Sequence, residues 1–216
     1  MAVVLTIGTL ALYTRGLDHA PPYLMHDELQ FSLQARSIAE TGHDLAGRRF
    51  PVFFTETEFP AGRDPAIIYV TAAFLKVLPF SQANVKVPTA VVGALNVALI
   101  CIAAWLLTGQ PWAGVLAALF LAVTPIHFIR SRLVLSPFYS VPFVLGWLIA
   151  LALYLRSGSR RALLSASACV ALMPYTYLAC TVMAPVYFFV TLAVAAKKEG
   201  RSVVLPMIVT AAIVVL

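Results

Sequence analysis

An all-α, multi-pass transmembrane bundle with one large polar loop near its N-terminus is the fold class this sequence predicts. Three observations lead to it. Hydrophobic residues make up 61% of the 216 and charged residues only 11%, against roughly a quarter charged in a soluble domain. The mean hydropathy is +0.91. The polar residues are also grouped, with Asp18, Asp27, Glu28, Glu40, Asp44, Glu56, Glu58 and Asp64 in one N-terminal stretch. So little polar surface cannot coat a globule in water, whereas lipid solvates apolar faces once helices satisfy their own backbone groups.

Apolar runs at 2–14, 85–107, 111–126, 136–155, 162–178, 181–196 and 203–216 are the candidate spans, about seven in all. The first is short for a bilayer, which needs about 20 helical residues. It lacks a basic leader and a clear small-residue cleavage site, which argues against a signal peptide. Both ends look clipped, so the chain is expected to be the N-terminal part of a larger protein and to need the remainder for activity. Residues 15–84 form the loop. Within it, 66–80 is apolar but short and interrupted by Lys76, so an interfacial helix and a crossing are both open. Cys101, Cys169 and Cys180 lie in apolar runs without CxxC spacing and read as packing residues.

Charge sets the sidedness. The runs Arg156–Arg161 and Lys197–Arg201 belong on the cytoplasmic side. Two spans separate them, so they share one side. Counting back puts the long loop outside if 66–80 does not cross. The net charge of +6 is then a topology signal, not a nucleic-acid footprint. The same count places two distant charged clusters on the outer face.

The first is His26-Asp27-Glu28, which precedes a helical pattern of Phe31, Ala35, Ile38 and Ala39 on one face, with Gly42 as the stop. Acids in a first turn suit the helix dipole. Equally, a carboxylate there can serve as a general base. The second is Pro125-Ile126-His127-Phe128-Ile129-Arg130-Ser131-Arg132. Its arginines either snorkel to head groups or clamp a phosphate through bidentate guanidinium contacts. His127 alone reads as an interfacial histidine. Tyr175 and Tyr177, in Pro174-Tyr175-Thr176-Tyr177, are ordinary for an aromatic belt.

In order, these pieces resemble the polytopic GT-C glycosyltransferases. The likeness is to the RgtA/B/C/D-like, protein O-mannosyltransferase-like and aminoarabinose transferase-like groups. It rests on the first span, the Pro-rich approach to His26-Asp27-Glu28, Gly47-Arg48-Arg49-Phe50-Pro51, Ile68-Tyr69 and Val85-Lys86-Val87-Pro88. Pro125-Ile126-His127, Ser131-Arg132 and Tyr175-Thr176-Tyr177 complete it. The resemblance implies sugar transfer from a polyprenyl-phosphate-linked donor to a glycan, lipid or protein acceptor at the outer face of a plasma membrane. It gives Asp27 the role of base and Glu28 that of support for the acceptor. Arg132 and Arg130 would stabilise the departing phosphate, and His127, Lys86, Tyr175 and Tyr177 would line the substrate site. The sequence fixes no cofactor. A divalent cation is the candidate one, but the run from Leu133 to Pro137 just after Arg132 holds no acid to supply the second carboxylate that many relatives carry. A transporter or lipid flippase, or a non-catalytic subunit, is the alternative. A transporter would want charged or helix-breaking residues at mid-membrane in paired repeats, and the lack of an internal repeat and of any acid within a span counts against it.

Overall fold

The computed structural model describes residues 2–54 and 64–199. Glu56, Glu58 and the expected span 203–216 lie outside them. Among the described residues all the regular structure is helical. The helices are α1 (Ala2–Thr14), α2 (His26–Thr41), α3 (Pro65–Leu75), α4 (Val87–Thr108), α5 (Pro111–Val123), α6 (Pro125–Arg130), α7 (Val141–Ser157), α8 (Arg160–Leu172) and α9 (Cys180–Glu199). Short 3-10 turns at Ser136–Ser140 and Met173–Tyr175 precede α7 and follow α8.

Among the described residues, three segments are long and apolar enough to cross a bilayer: Val87–Thr108, Ser136–Ser157 and Cys180–Lys198. The helices in two of the expected spans are shorter than their apolar runs, each for a local reason. α5 stops at Thr124, whose extended backbone is what the following Pro125 imposes. The run 162–178 is helical only to Leu172, where the tighter turn around Pro174 takes over. The ambiguous segment 66–80 forms only α3. Its 11 residues reach about 16 Å, well short of the roughly 30 Å hydrocarbon layer.

α4 is the hub. It packs against α1, α5 and α7, and α7 leads on to α8 and then α9. α1 runs antiparallel to α4. Ala2 and Leu5 at its start join the cluster of Val97, Cys101, Ala118 and Ala122, while Tyr13 at its end lies against Gly93. A Cβ on Gly93 would fall 2.7 Å from that of Ser131 and 3.1 Å from the Tyr13 ring, so the absence of a side chain lets three segments meet.

The described parts of the loop pack against one end of this bundle. α2 buries Phe31, Ala35 and Ile38, the face the sequence pattern marks, and ends at Gly42 in the left-handed region (φ 74°). α3 packs along it with Ile67, Ile68 and Ala72, and Phe54, Val85, Val134, Phe138 and Tyr139 complete this core. A second tie closes the loop beyond α2. Burial alone would raise the Asp44 carboxyl. The Arg48 backbone N–H and guanidinium, with the Ala46 N–H, outweigh it and hold Asp44 below the usual carboxylate range.

Candidate active site at the loop end of the bundle

The site is built from the ends of α1, α2 and α4 and from the connection between α6 and α7. The helix axes alone do not register these ends. Buried polar side chains do, by bonding to main-chain groups far away in sequence.

Glu28 sits in the first turn of α2 and is fully buried. Oε2 accepts from the Met25 N–H at 2.9 Å, closing the helix start. Oε1 accepts from the Val134 N–H at 2.7 Å, across 106 residues of sequence. The carboxylate thus pins the α2 N-terminus to the segment after Arg132. Charge-assisted bonds of this kind to N–H groups are among the stronger ones.

Arg132 holds the other side. Nε donates to the Ala20 carbonyl at 3.2 Å, Nη1 to Tyr13 and Arg15 at 2.9 and 2.8 Å, and Nη2 to Gly16 and Ala20 at 2.9 and 2.6 Å. A guanidinium has five N–H donors, and each here has a carbonyl. The result caps the C-terminus of α1, where a cation also suits the helix dipole. Lys86, buried at the N-cap of α4, donates from Nζ to the next carbonyl along, that of Pro21, at 2.7 Å. One short stretch, 13–21, therefore receives both cations.

Tyr13 and His127 add a third tie. The Tyr13 hydroxyl lies 2.9 Å from the Ala122 carbonyl and 2.9 Å from His127 Nδ1. A hydroxyl has one proton and the carbonyl only accepts. This arrangement therefore puts the imidazole proton on Nδ1, donating to the tyrosine oxygen. Burial holds His127 down at about 4, so the ring is neutral at physiological pH. Its Nε2 is buried without a hydrogen-bond partner among the described residues.

Asp27 and His26 are exposed on the first turn of α2, beside buried Glu28. Arg130 is exposed on α6. These side chains can meet a ligand, whereas Glu28, Lys86 and Arg132 make up the frame beneath them. Tyr175 is half-buried and stacks on Phe53, ring centroids 5.8 Å apart. With Phe50, Pro51, Val52, Pro65, Ala66 and Tyr69 it lines an open, apolar cleft of about 400 Å³. Tyr177 packs instead into the cluster of Val170, Met173, Cys180 and Ala184. A smaller cavity of about 170 Å³ lies between Ala20, Pro21, Phe128, Ile129 and Arg132. Among the described residues no three His, Cys, Asp or Glu side chains gather as a metal site.

Sequence reasoning missed Tyr13, whose only signal was its place at the end of the first apolar run. It also missed the carbonyls of 13–21, which carry no side-chain signal at all.

The family model of dolichyl-phosphate-mannose-protein mannosyltransferase matches residues 61–216, well over half of the chain. The chain belongs to this family. It is accordingly a membrane glycosyltransferase module of the GT-C type. The mannosyltransferase match covers Lys86, His127, Arg130, Arg132, Tyr175 and Tyr177 but begins downstream of Asp27 and Glu28. What ties that pair to the matched region is the bond from Val134 to Glu28. No curated protein and no solved structure matches the chain.

Proposed function

We propose that the chain moves a sugar from a polyprenyl-phosphate carrier to an acceptor hydroxyl at the extracytoplasmic face of the plasma membrane, with Asp27 as general base. One observation carries the reading. Asp27 stands exposed on a helix end that buried Glu28 fixes against the segment bearing Arg130 and Arg132. On this reading Asp27 is the base and Arg130 the cation, each exposed and each close in sequence to one end of that bond. The family's description, which names a dolichyl-phosphate-linked mannose, supports a lipid-linked donor.

The chemistry follows from those positions. The acceptor oxygen attacks the anomeric carbon, its proton passes to the Asp27 carboxylate, and the bond from that carbon to the phosphate oxygen breaks. Negative charge grows on the departing lipid phosphate, where an exposed guanidinium stabilises it. Arg130 takes that role, because the five donors of Arg132 are committed to carbonyls. Arg132, Lys86, Glu28 and His127 are positioning residues. Tyr175 offers an aromatic wall to the sugar or the prenyl chain, and Tyr177 supports it from the adjoining cluster.

The test is sugar transfer from a synthetic polyprenyl-phosphate sugar by the full-length enzyme in liposomes. Asp27→Asn is expected to lower turnover by about 10²-fold or more with a melting midpoint much closer to the wild type's than that of Glu28→Gln, since Asp27 is exposed and Glu28 fully buried. Transfer at the wild-type rate by this variant sinks Asp27 as the base.

A further inference from the structure

The opposite end of the bundle is a strongly basic surface that this chemistry does not use. Three helix ends meet there. α7 ends on Arg156, α8 opens on Arg160 and Arg161, and α9 closes with Lys197 and Lys198. All five side chains are exposed. Lys198 Nζ donates to the Tyr154 and Leu155 carbonyls, both at 2.7 Å, and so ties the end of α9 to that of α7. Arg156 reaches toward the turn between α4 and α5, with a guanidinium nitrogen 3.9 Å from where a Cβ on Gly109 would lie. Asp18, Asp27, Glu28, Glu40, Asp44 and Asp64 are all in the loop at the other end, and Glu199 is the acid nearest these cations in sequence.

Two further features bear on what covers this surface. α8 carries arginines and no acid in its first turn, and the Ser159 side chain makes no capping bond. Cations therefore occupy the place where the helix dipole favours an anion. Trp105 and Trp112, exposed at the end of α4 and the start of α5, flank the same end. Exposed tryptophans at span ends mark the head-group level of a bilayer. The cations thus stand at the depth of lipid phosphates.

We propose that this surface binds anionic glycerophospholipid head groups of the leaflet it faces, with Arg156, Arg161 and Lys197 as the phosphate contacts. Lys198 serves as the tie that assembles the patch. The bound anions relieve the repulsion among the cations and complete the start of α8.

The experiment is thermal unfolding of the purified chain in phosphatidylcholine nanodiscs, with and without a minority of phosphatidylglycerol. Phosphatidylglycerol is expected to raise the midpoint by about 2–4 °C, and high salt to remove the rise. The triple variant R156Q/R161Q/K197Q is expected to lose it, and R156K/R161K to keep it. No rise in the wild type, or a full rise in the triple variant, overturns the proposal. An equal rise from inorganic phosphate in phosphatidylcholine discs also overturns it, in favour of a soluble ligand. Native mass spectrometry of the wild type guards against a variant that fails to insert. Phosphatidylglycerol is expected to be retained in preference to phosphatidylcholine, and equal retention counts against the site.

Discussion

Asp27 and Glu28 are neighbours in sequence, and helical geometry turns successive side chains about 100° apart. One faces solvent and the other is fully buried. Their substitutions should therefore separate. Glu28→Gln is expected to lower stability by about 1–3 kcal/mol, because an amide can accept only through its oxygen and leaves a buried N–H without a partner. Transfer should fall with it as the α2 start loosens. Chemical denaturation alongside the transfer assay distinguishes this from Asp27→Asn, which loses transfer with a much smaller loss of stability. His127 makes a separate prediction. Its folded pKa of about 4 lies below the ordinary value near 6.5, so the unfolded state binds more protons between the two. Stability is then fully present above about pH 6.5 and falls as pH drops toward 4, by up to about 3 kcal/mol. The unfolding midpoint of His127→Gln should be flatter than that of the wild type across this window. Parallel curves would contradict the buried neutral imidazole.

At the level of elements, α2 was legible because its apolar period and glycine stop are local signals. The role of the adjacent carboxylate was not. Glu28 meets an N–H over a hundred residues away, and no spacing rule reports a partner at that separation. The same holds for Arg132, where a phosphate clamp and an α1 cap require the same residue type. Here the main chain of 13–20 takes all five donors. The meeting of α1, α4 and α6 depends on Gly93. Gly93→Ala is expected to cost about 1–3 kcal/mol through overpacking. Its Cβ meets both Ser131 and Tyr13, so it should also disturb the frame under Asp27 and lower transfer. Thermal unfolding and transfer, measured together, check this. An unchanged midpoint would show that the contact is slack.

For the whole molecule, the arrangement sets a loop end that carries both signs of charge against a far end that is rich in cations. Asp27, Glu28 and Glu40 lie on α2 and Asp64 is the N-cap residue of α3, and the basic helix ends lie at the far side. Accessibility of single cysteines to a membrane-impermeant reagent in intact cells tests it, with Cys101, Cys169 and Cys180 first removed. Positions 26 and 130 are expected to label, and 110 and 159 to remain protected. Labelling of 26 without 130 would put the base and its cation on opposite faces.

By itself the sequence determined the solvent of this protein and its helical class, and its charge order supplies the sidedness that cysteine labelling is expected to return. Those depend on composition and on the one-dimensional order of apolar runs and charges, which a bilayer reads directly. It also marked Asp27 and Glu28, the arginines after Pro125 and the short segment that becomes α3. Only the tertiary structure decided which of these side chains are exposed and which are buried in the frame. That choice depends on which main-chain N–H and carbonyl groups come within 3 Å of a buried charge. A buried charge must find such partners, and chain folding, not sequence spacing, supplies them.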